Sequence, residues 1–518
     1  MIWHIFKKDW RLLWRFSAGF GVMNFVLIAT MLAIGRFNAP LFPQVMTISG
    51  YRSPLTDLLP LVTLLGGVFL IMTIVHQEAI PGVRQDWLVR PIQRRDLLFA
   101  KLLSVLVLVQ GPILAADLTE ALLAGFSVQQ SMHAALARSI YLLFSFSLPV
   151  LAFASLTKNL MEAIVGGTAI FVARSILNLV VPVGSFFGIE LPRNWIDTTI
   201  RVGILLLGAC VLLGFQYSHR KTMLARWLMA AVVLIYTFAP PVPMDAAFAI
   251  EQRLAPAADI GNRVTISFEP NREGLEDRKM GPSDSAGLGY VFVLFPIRIT
   301  GIPDEAVLNG DFSKARLITP DGESYDLGQQ NGFRRWNEYP GAGNSLINYG
   351  IRVPQDVYRR FEDQPLRVEI DYSLTLLRLA DSQILAATGG DERTKDLGWC
   401  GTRVDEVGLQ VLFGCIEAGQ QPSCVSLILE HKPSGARNPF VSFCRPDYSP
   451  YRYRFGPDAL GRFTASLPFA NPSSADLYPV KASMLAESQV RARAYKPQGH
   501  FVRQLVIPQI RLREWATD

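Results

Sequence analysis

The sequence predicts a membrane all-α bundle of about seven transmembrane helices plus an N-terminal interfacial helix, followed by an all-β, sandwich-like extracytoplasmic domain. The first observation is a series of seven apolar stretches, each near the ~20 residues that a helix needs to cross a bilayer. The second is a change from helical to alternating periodicity after residue 262. The third is charge: residues 1–240 hold 19 of the 50 lysines and arginines but 10 of the 44 acidic residues. A basic, apolar part joined to a polar part is typical of a membrane domain with an attached soluble domain.

Residues 1–15 predict an amphipathic helix in the membrane interface. At about 100° per residue, two faces separate. One carries Trp3, Phe6, Trp10, Leu13 and Trp14, and the other carries His4, Lys7, Lys8, Arg11 and Arg15. A tryptophan-rich face beside a lysine- and arginine-rich face is typical of interfacial helices. A signal peptide would need its apolar run and a small-residue cleavage site much sooner.

The predicted transmembrane domain covers residues 16–244, with spans at 16–35, 58–75, 97–123, 139–157, 160–183, 202–218 and 227–244. The amino terminus, residues 76–101, Lys158 and residues 219–226 bring positive charge to one side, while scattered charges such as Arg138 and Arg201 fall on the other. Cationic loops stay cytoplasmic, so we expect a cytoplasmic amino terminus in the cell (inner) membrane. Seven spans then leave the carboxy-terminal half outside. We assign the basic excess to this orientation rather than to nucleic acid.

Three charged residues interrupt the predicted spans: Asp117, Glu120 and Arg174. Such residues are costly in hydrocarbon and usually face a cavity or one another. One hypothesis is an intramembrane pair of Arg174 with Asp117 or Glu120. The alternative is that both carboxylates lie at the outer headgroups while Arg174 extends its charged end to the interface.

Residues 245–262 are predicted to form a linker, and residues 263–518 one or two β-sandwiches. Residues 365–377 alternate between apolar and polar side chains. Pro320-Asp321-Gly322 predicts a hairpin turn within residues 315–327. Many short strands between glycine and proline turns are typical of sandwiches.

Four of the five cysteines lie in this predicted outer domain: Cys400, Cys415, Cys424 and Cys444. An even set outside the cytoplasm predicts disulfides, with three possible connectivities. We favour Cys400–Cys415 and Cys424–Cys444, because each closes a short loop. A zinc site is the alternative, but there is no C-x-x-C pair and His431 is the nearby histidine.

The sequence has no G-x-x-x-x-G-K-[ST] phosphate loop, no H-E-x-x-H and no G-x-S-x-G motif. This chain therefore cannot hydrolyse ATP through a phosphate loop. The outer domain has two histidines, His431 and His500, which leaves little for a histidine-based catalytic site. We expect a non-enzymatic chain without a metal or cofactor of its own.

The polar segment 76–101 separates the second and third spans and contains four arginines, Arg84, Arg90, Arg94 and Arg95. Pro81-Gly82 ends the preceding helix, and residues 86–89 can form only a short helix before Pro91. A short amphipathic helix on the cytoplasmic face is suited to docking on a soluble partner. The alternative is a loop that sets topology and has no partner.

Residues 1–240 resemble the permease subunit of bacterial ATP-binding-cassette (ABC) exporters of the type-2 class. The resemblance rests on the aromatic helix before the first span and on the segment 78–101 after the second. In that family this segment carries the coupling helix that docks on the ATPase subunit. The resemblance implies that Asp86, Trp87, Leu88 and Arg90 contact the ATPase and that Glu78 lies at the base of the second span.

The resemblance also implies a function: export of a substrate with ATP and magnesium bound by a separate ATPase subunit, and two permease chains forming the pathway. Family members typically have six spans and end in the cytoplasm, so the seventh span and the outer domain depart from that plan. The outer domain would receive or gate the cargo, or bind an envelope partner. Two alternatives stay open, namely a polytopic anchor presenting a β-sandwich receptor or adhesin, and a membrane enzyme.

Overall fold

The computed structural model has a helical amino-terminal part and a sheet-rich carboxy-terminal part. It describes residues 1–37, 54–77, 93–180, 195–219, 222–240, 242–270, 289–303, 306–336, 347–394, 397–405, 409–418, 424–438, 441–444, 460–469 and 479–516. Statements about structure below concern these residues.

The helical part follows the predicted order of apolar segments. Its helices are α1 (Ile2–Phe37), α2 (Pro54–His76), α3 (Arg94–Val105), α4 (Gly111–Leu123), α5 (Val128–Leu142), α6 (Leu148–Ser155), α7 (Leu160–Val180), α8 (Trp195–His219) and α9 (Thr222–Phe238). Two short helices follow, α10 (Met244–Leu254) and α11 (Ala258–Gly261). Within the described residues, four helical stretches are long and apolar enough to cross a membrane: Ile2–Ala29, Arg95–Leu123, Val128–Ser155 and Thr199–Ser218. The count of seven spans stays a prediction.

Residues 1–15 are the first turns of α1 rather than a separate helix. No proline interrupts residues 1–37, so nothing in this stretch forces the chain to break. Ile5, Asp9, Leu13 and Phe20 are buried along one side of α1. Spacings of four and seven residues, which are about one and two helical turns, form the stripe that a helix presents to its neighbours.

Two π-helical segments interrupt the long helices that form the centre of the bundle. Residues Leu106–Gln110 join α3 to α4, and Leu143–Ser147 join α5 to α6. Each is followed, after one residue, by a proline, Pro112 or Pro149. A proline cannot donate to the carbonyl four residues earlier, so the helix must adjust locally before it.

The sheet-rich part contains three sheets. Its strands are β1 (Thr265–Phe268), β2 (Tyr290–Thr300), β3 (Ala306–Ile318), β4 (Ser324–Trp336), β5 (Ile347–Pro354), β6 (Leu366–Ala386), β7 (Gly390–Thr394), β8 (Gly398–Asp405), β9 (Gln410–Ala418), β10 (Cys424–His431), β11 (Val441–Cys444), β12 (Leu460–Pro468) and β13 (Ser488–Ile510), with helix α12 (Gln355–Phe361) after β5. The strand orders are β1-β2-β5, β11-β10-β13-β6-β3-β4 and β12-β9-β8-β7. The hairpin predicted at Pro320-Asp321-Gly322 is confirmed, because it joins the antiparallel pair β3 and β4.

Two sandwiches share the six-stranded sheet. One core lies between β2 and β5 and the first half of β6, and contains Phe295, Ile351 and Ile370. The other lies between β8 and β9 and the far half of the same sheet, and contains Phe413 and Leu427. The antiparallel strands β6 and β13, of 21 and 23 residues, run through both cores. The two sandwiches are therefore joined by continuous strands rather than by a linker.

The sheets contact the bundle beside the turn between α4 and α5. Ala121 and Phe126 form a small apolar cluster with Leu412, Ile416 and Leu460 of β9 and β12.

At the start of α8, Arg201 pairs with Asp197 and donates to the Tyr236 and Ala239 carbonyls at the end of α9. A cation suits the exposed carbonyls at a helix carboxyl end.

The disulfide predicted between Cys400 and Cys415 is confirmed. It links directly opposed residues of β8 and β9, whose Cα atoms are 4.0 Å apart. Cys424 is also disulfide-bonded, and it lies opposite Cys444 in the β10–β11 register. This register supports the second predicted pairing. Among the described cysteines, Cys210 in α8 is free and exposed.

We expect the double substitution Cys400→Ser, Cys415→Ser to destabilise β8 and β9 by about 3 kcal/mol, because it removes a cross-link that closes a loop of about 15 residues. Hydrogen exchange of peptides from these strands in the detergent-purified full chain measures the effect. Cys210→Ser is the control and should leave the exchange unchanged. Equal protection in the double variant and the parent would contradict a stabilising role of the disulfide.

Candidate functional site

The residues predicted to dock on an ATPase lie outside the described part of the chain. They are Asp86, Trp87, Leu88 and Arg90, and Glu78, predicted at the base of the second span, also lies outside it; their contacts stay a prediction. The helices on either side are described: α2 ends at His76, and α3 begins at Arg94. The candidate site is therefore built from the polar contacts that hold these two helix ends in the bundle.

A buried ion pair ties α3 to α1. The Lys101 ammonium lies 2.9 Å from an Asp9 carboxylate oxygen, and the side chains are 1% and 0% exposed. Ser104, one turn further along α3, donates its hydroxyl to the same oxygen at 3.1 Å. A lysine and an aspartate are stable at such burial only when they are paired and hydrogen-bonded. Lys101 ends the polar segment predicted at residues 76–101, whereas in the structure it is buried inside α3.

Polar contacts also hold the end of α2. The His76 ring lies 2.9 Å from the Thr157 hydroxyl, just after α6. Arg226 at the start of α9 donates to the Leu156 carbonyl and pairs with Glu162 at 2.5 Å. The ends of α2 and α6 and the starts of α7 and α9 therefore meet on one side of the bundle.

The two π-helical segments face each other across a polar bridge. The Gln110 amide donates to the Ser147 hydroxyl at 2.8 Å and accepts from the Ser139 hydroxyl at 3.0 Å. The Leu108 carbonyl, four residues before Pro112, accepts the Ser17 hydroxyl of α1 at 2.8 Å. This is the carbonyl that Pro112 leaves without its helical donor. The irregular backbone is thus satisfied by side chains of neighbouring helices, as a nonpolar surrounding requires.

Asp117 is paired with Arg138. One guanidinium nitrogen of Arg138 lies 2.7 and 2.6 Å from the two Asp117 carboxylate oxygens, and both side chains are buried. Helix α5 begins at residue 128, eleven residues before the predicted span, and this places Arg138 inside the hairpin with α4. Glu120 is also buried. The Arg174 side chain lies outside the described residues, so its proposed pairing stays a prediction.

These contacts perform positioning rather than bond-making chemistry. Asp9–Lys101, Gln110–Ser147 and Asp117–Arg138 lie at successive levels, from the second half of α3 through the π-helical segment to the middle of α4. They join these helices to α1, to the π-helical segment between α5 and α6, and to α5. A shift of α3 would therefore be opposed or transmitted at several levels of the bundle.

A second polar cluster, which sequence reasoning missed, lies in the sheets. The Thr375 hydroxyl lies 2.5 Å from Asp311 and 2.8 Å from the His500 ring, and Asn309 donates to Asp311 at 2.6 Å. Asp311 is the extra residue of a bulge in β3, between Gly310 and Phe312. A bulge changes the direction of a side chain, and its position could not be inferred from the sequence pattern.

Burial shifts the pKa values of both titrating groups of this cluster, Asp311 and His500. Desolvation raises the pKa of Asp311 to about 6, against the lowering effect of the Thr375 and Asn309 hydrogen bonds. Burial also lowers the pKa of His500. The Phe248 ring of α10 packs edge-on against His500 at 5.6 Å. Helix α10, which follows α9, therefore covers the cluster.

Comparisons with known proteins leave the family open. No family model matches the chain, and no curated protein matches it. Among solved structures, it is similar to the C-terminal globular domain of an oligosaccharyltransferase from Pyrococcus abyssi, with 14% sequence identity. That match covers 43% of this chain and 45% of the other, so the chain spans less than half of that structure. The TM-score of this match is 0.11, which is too low to indicate a shared fold or function.

We expect Lys101→Met to destabilise the bundle by about 3–5 kcal/mol, because it leaves the Asp9 charge buried without its ammonium partner. The thermal unfolding midpoint of the detergent-purified full chain measures this. Lys314→Met is the matched control: Lys314 pairs with Asp245 at 2.8 Å, but both side chains are about half exposed, so the loss should stay below about 1 kcal/mol. Adding Asp9→Leu to Lys101→Met should recover part of the lost stability. Equal effects of the two lysine substitutions would show that burial does not distinguish the pairs.

We expect Asp311 to make stability depend on pH. Its pKa is raised from 3.8 to about 6, so the folded protein holds this proton more tightly than the unfolded chain does. The charged form thus costs stability above about pH 6, and the cost disappears as the pH falls toward 4. From pH 7 to pH 4, the parent should gain up to about 3 kcal/mol relative to Asp311→Asn.

The measurement is the difference between the unfolding midpoints of the parent and Asp311→Asn at each pH. His500 acts with the opposite sign: its pKa is lowered, so its protonation on acidification costs stability. Repeating the comparison in a His500→Asn background separates the two groups. A midpoint difference that does not change with pH would refute the Asp311 assignment.

Proposed function

We propose that this chain is the permease subunit of an ABC-type exporter, which moves a substrate across the membrane with ATP hydrolysed by a separate ATPase subunit. The sequence resemblance of residues 1–240 suggests this function. The contacts around segment 76–101 support it. The absence of a phosphate loop from the sequence fits a chain whose energy comes from a partner.

The buried Asp9–Lys101 pair is the observation that carries the proposal. Lys101 lies eight residues after Gln93, where the described chain resumes behind the proposed docking residues. Because the pair is fully buried, movement of the start of α3 must displace α1 or break a costly contact. The His76–Thr157 contact links the other end of the segment to α6. Docking of an ATPase at residues 86–90 would thus shift several helices together, as alternating access requires.

The proposed orientation has a cytoplasmic amino terminus and an extracytoplasmic β-domain. The polar contacts of His76, Thr157 and Arg226 lie at or near helix ends that belong to the predicted cytoplasmic side. The contact of Phe126 with β9 and β12 lies near the turn on the predicted outer side. The Cys400–Cys415 disulfide suits an oxidising compartment.

In this proposal a second permease copy completes the pathway, and the double sandwich receives or gates the cargo or binds an envelope partner. Strands β6 and β13 make the two sandwiches one continuous body. Helix α10 packs on this body through Phe248 and follows α9 closely. Movement of the bundle could thus be passed to the β-domain.

The test is purification of the tagged full chain from its native membrane in mild detergent, with mass spectrometry of the proteins that accompany it. We expect an ATPase subunit with the parent and its loss from Trp87→Ala, Arg90→Ala, because these side chains form the proposed docking surface. The control Trp227→Ala, Arg253→Ala removes the same side-chain types from exposed sites in α9 and α10. It should retain the ATPase.

Two outcomes would contradict the proposal. If no ATPase accompanies the parent, the exporter loses its energy source, and an anchored β-sandwich receptor or adhesin becomes the better account. If the ATPase accompanies the docking variant as strongly as the parent, residues 86–90 are not the coupling surface.

A further inference from the structure

An apolar groove runs along the exposed surface of α1, and a cationic recess lies beside its first turns. The apolar walls of the groove are Trp10, Trp14, Ala18, Gly21 and Phe25 of α1 with Pro112 of α4, and its volume is about 350 Å³. The aromatic walls remain accessible: Trp10, Trp14 and Phe25 are 44%, 46% and 40% exposed. The other described helices leave this groove open.

Cations lie beside the first turns of the groove, and Lys7 and Arg11 are the two whose direction is nearest to it. His4, Lys7, Lys8 and Arg11 surround a recess at the start of α1. At about 100° per residue, Lys7 and Arg11 lie within about 60° of Trp14 and Ala18 around the helix axis. Arg15 lies 5.7 Å from the Trp14 ring, at the boundary between the two surfaces. Asp9, the acidic residue of α1, points to the opposite side and is buried against Lys101.

We propose that this surface binds one anionic phospholipid, with its phosphate at Lys7 and Arg11 and an acyl chain along the groove. From Arg11 to Phe25 the helix rises about 21 Å, which exceeds the ~15 Å depth of one hydrocarbon leaflet. Basic residues beside a membrane-spanning helix attract anionic headgroups. The charge and the length of the surface therefore fit the two parts of one lipid.

The groove floor suits an acyl chain. Ser17 also lines it, but its hydroxyl is already bonded to the Leu108 carbonyl, so it needs no partner from the lipid. At Gly21 an added Cβ would lie 3.6 Å from the Pro112 Cβ, an ordinary contact distance. A longer side chain at Gly21 would occupy the space that the proposal gives to the acyl chain.

Charge distinguishes this occupant from a second copy of the chain. A two-fold interface brings the same surface of both copies together. Two copies joined through this groove would place their Lys7 and Arg11 side chains near each other, which like charges oppose. A lipid phosphate neutralises the same cations.

The test uses fluorescence quenching by brominated acyl chains. The full-length protein is reconstituted in phosphatidylcholine vesicles that contain brominated phosphatidylglycerol or brominated phosphatidylcholine. Subtracting the signal of Trp10→Phe, Trp14→Phe isolates the groove from the other tryptophans. We expect half-maximal quenching at a mole fraction of phosphatidylglycerol about 5- to 30-fold lower than that of phosphatidylcholine, as one or two phosphate–cation contacts would give.

Two variants separate the headgroup from the chain. Lys7→Gln, Arg11→Gln should abolish the preference but keep quenching by both lipids. Gly21→Leu should weaken quenching by both. Lys158→Gln, Arg253→Gln, which removes two exposed cations elsewhere, should retain the preference.

Three results would overturn the proposal. The first is equal quenching of the parent by both lipids, and the second is a preference that survives Lys7→Gln, Arg11→Gln. The third is weak quenching by either lipid together with disulfide cross-linking of Gly21→Cys between chains, which would assign the groove to a second copy. None of these outcomes depends on an ATPase, so this site and the proposed export function can fail separately.

Discussion

A charge buried among apolar helices is stable only beside an opposite charge or several hydrogen-bond partners, and the described bundle is arranged around this requirement. Lys101 and Asp9 satisfy it between α3 and α1, and Arg138 and Asp117 satisfy it between α5 and α4. Apolar packing is tolerant of small rotations and slides. A paired charge is not, because either motion leaves a charge without its partner. The two pairs therefore fix the relative height and rotation of four helices.

The prolines of the central helices impose a second requirement. Pro112 and Pro149 each follow a π-helical segment, where the backbone departs from its regular bonding. Side chains of neighbouring helices supply hydrogen bonds there: the Ser17 hydroxyl donates to the Leu108 carbonyl, and the Gln110 amide donates to the Ser147 hydroxyl. Such segments occur often at functional sites and hinges. In this bundle they lie between the Asp9–Lys101 and Asp117–Arg138 pairs, so a bend there would change the distance between two fixed points.

The two sandwiches are held together in a different way. Strands β6 and β13 pair along most of their length and contribute to both cores. Rotation of one sandwich against the other would have to twist or disrupt this pairing. The cluster of Asp311, Thr375 and His500 lies on the shared sheet beneath α10. Protonation at this point would act where the helical and sheet-rich parts join.

Local properties of the sequence determined much of the fold. Apolar length located the helices, alternation located β6, and Pro320-Asp321-Gly322 located a hairpin, because each signal depends on neighbouring residues. The short loop between Cys400 and Cys415 gave the confirmed disulfide. Tertiary structure alone decided the partners of Asp117 and Lys101 and the bulge at Asp311. These features depend on how distant helices cross and on the register of the strands. The residues involved are 21 to 125 positions apart, so no local periodicity in the sequence indicates the contact.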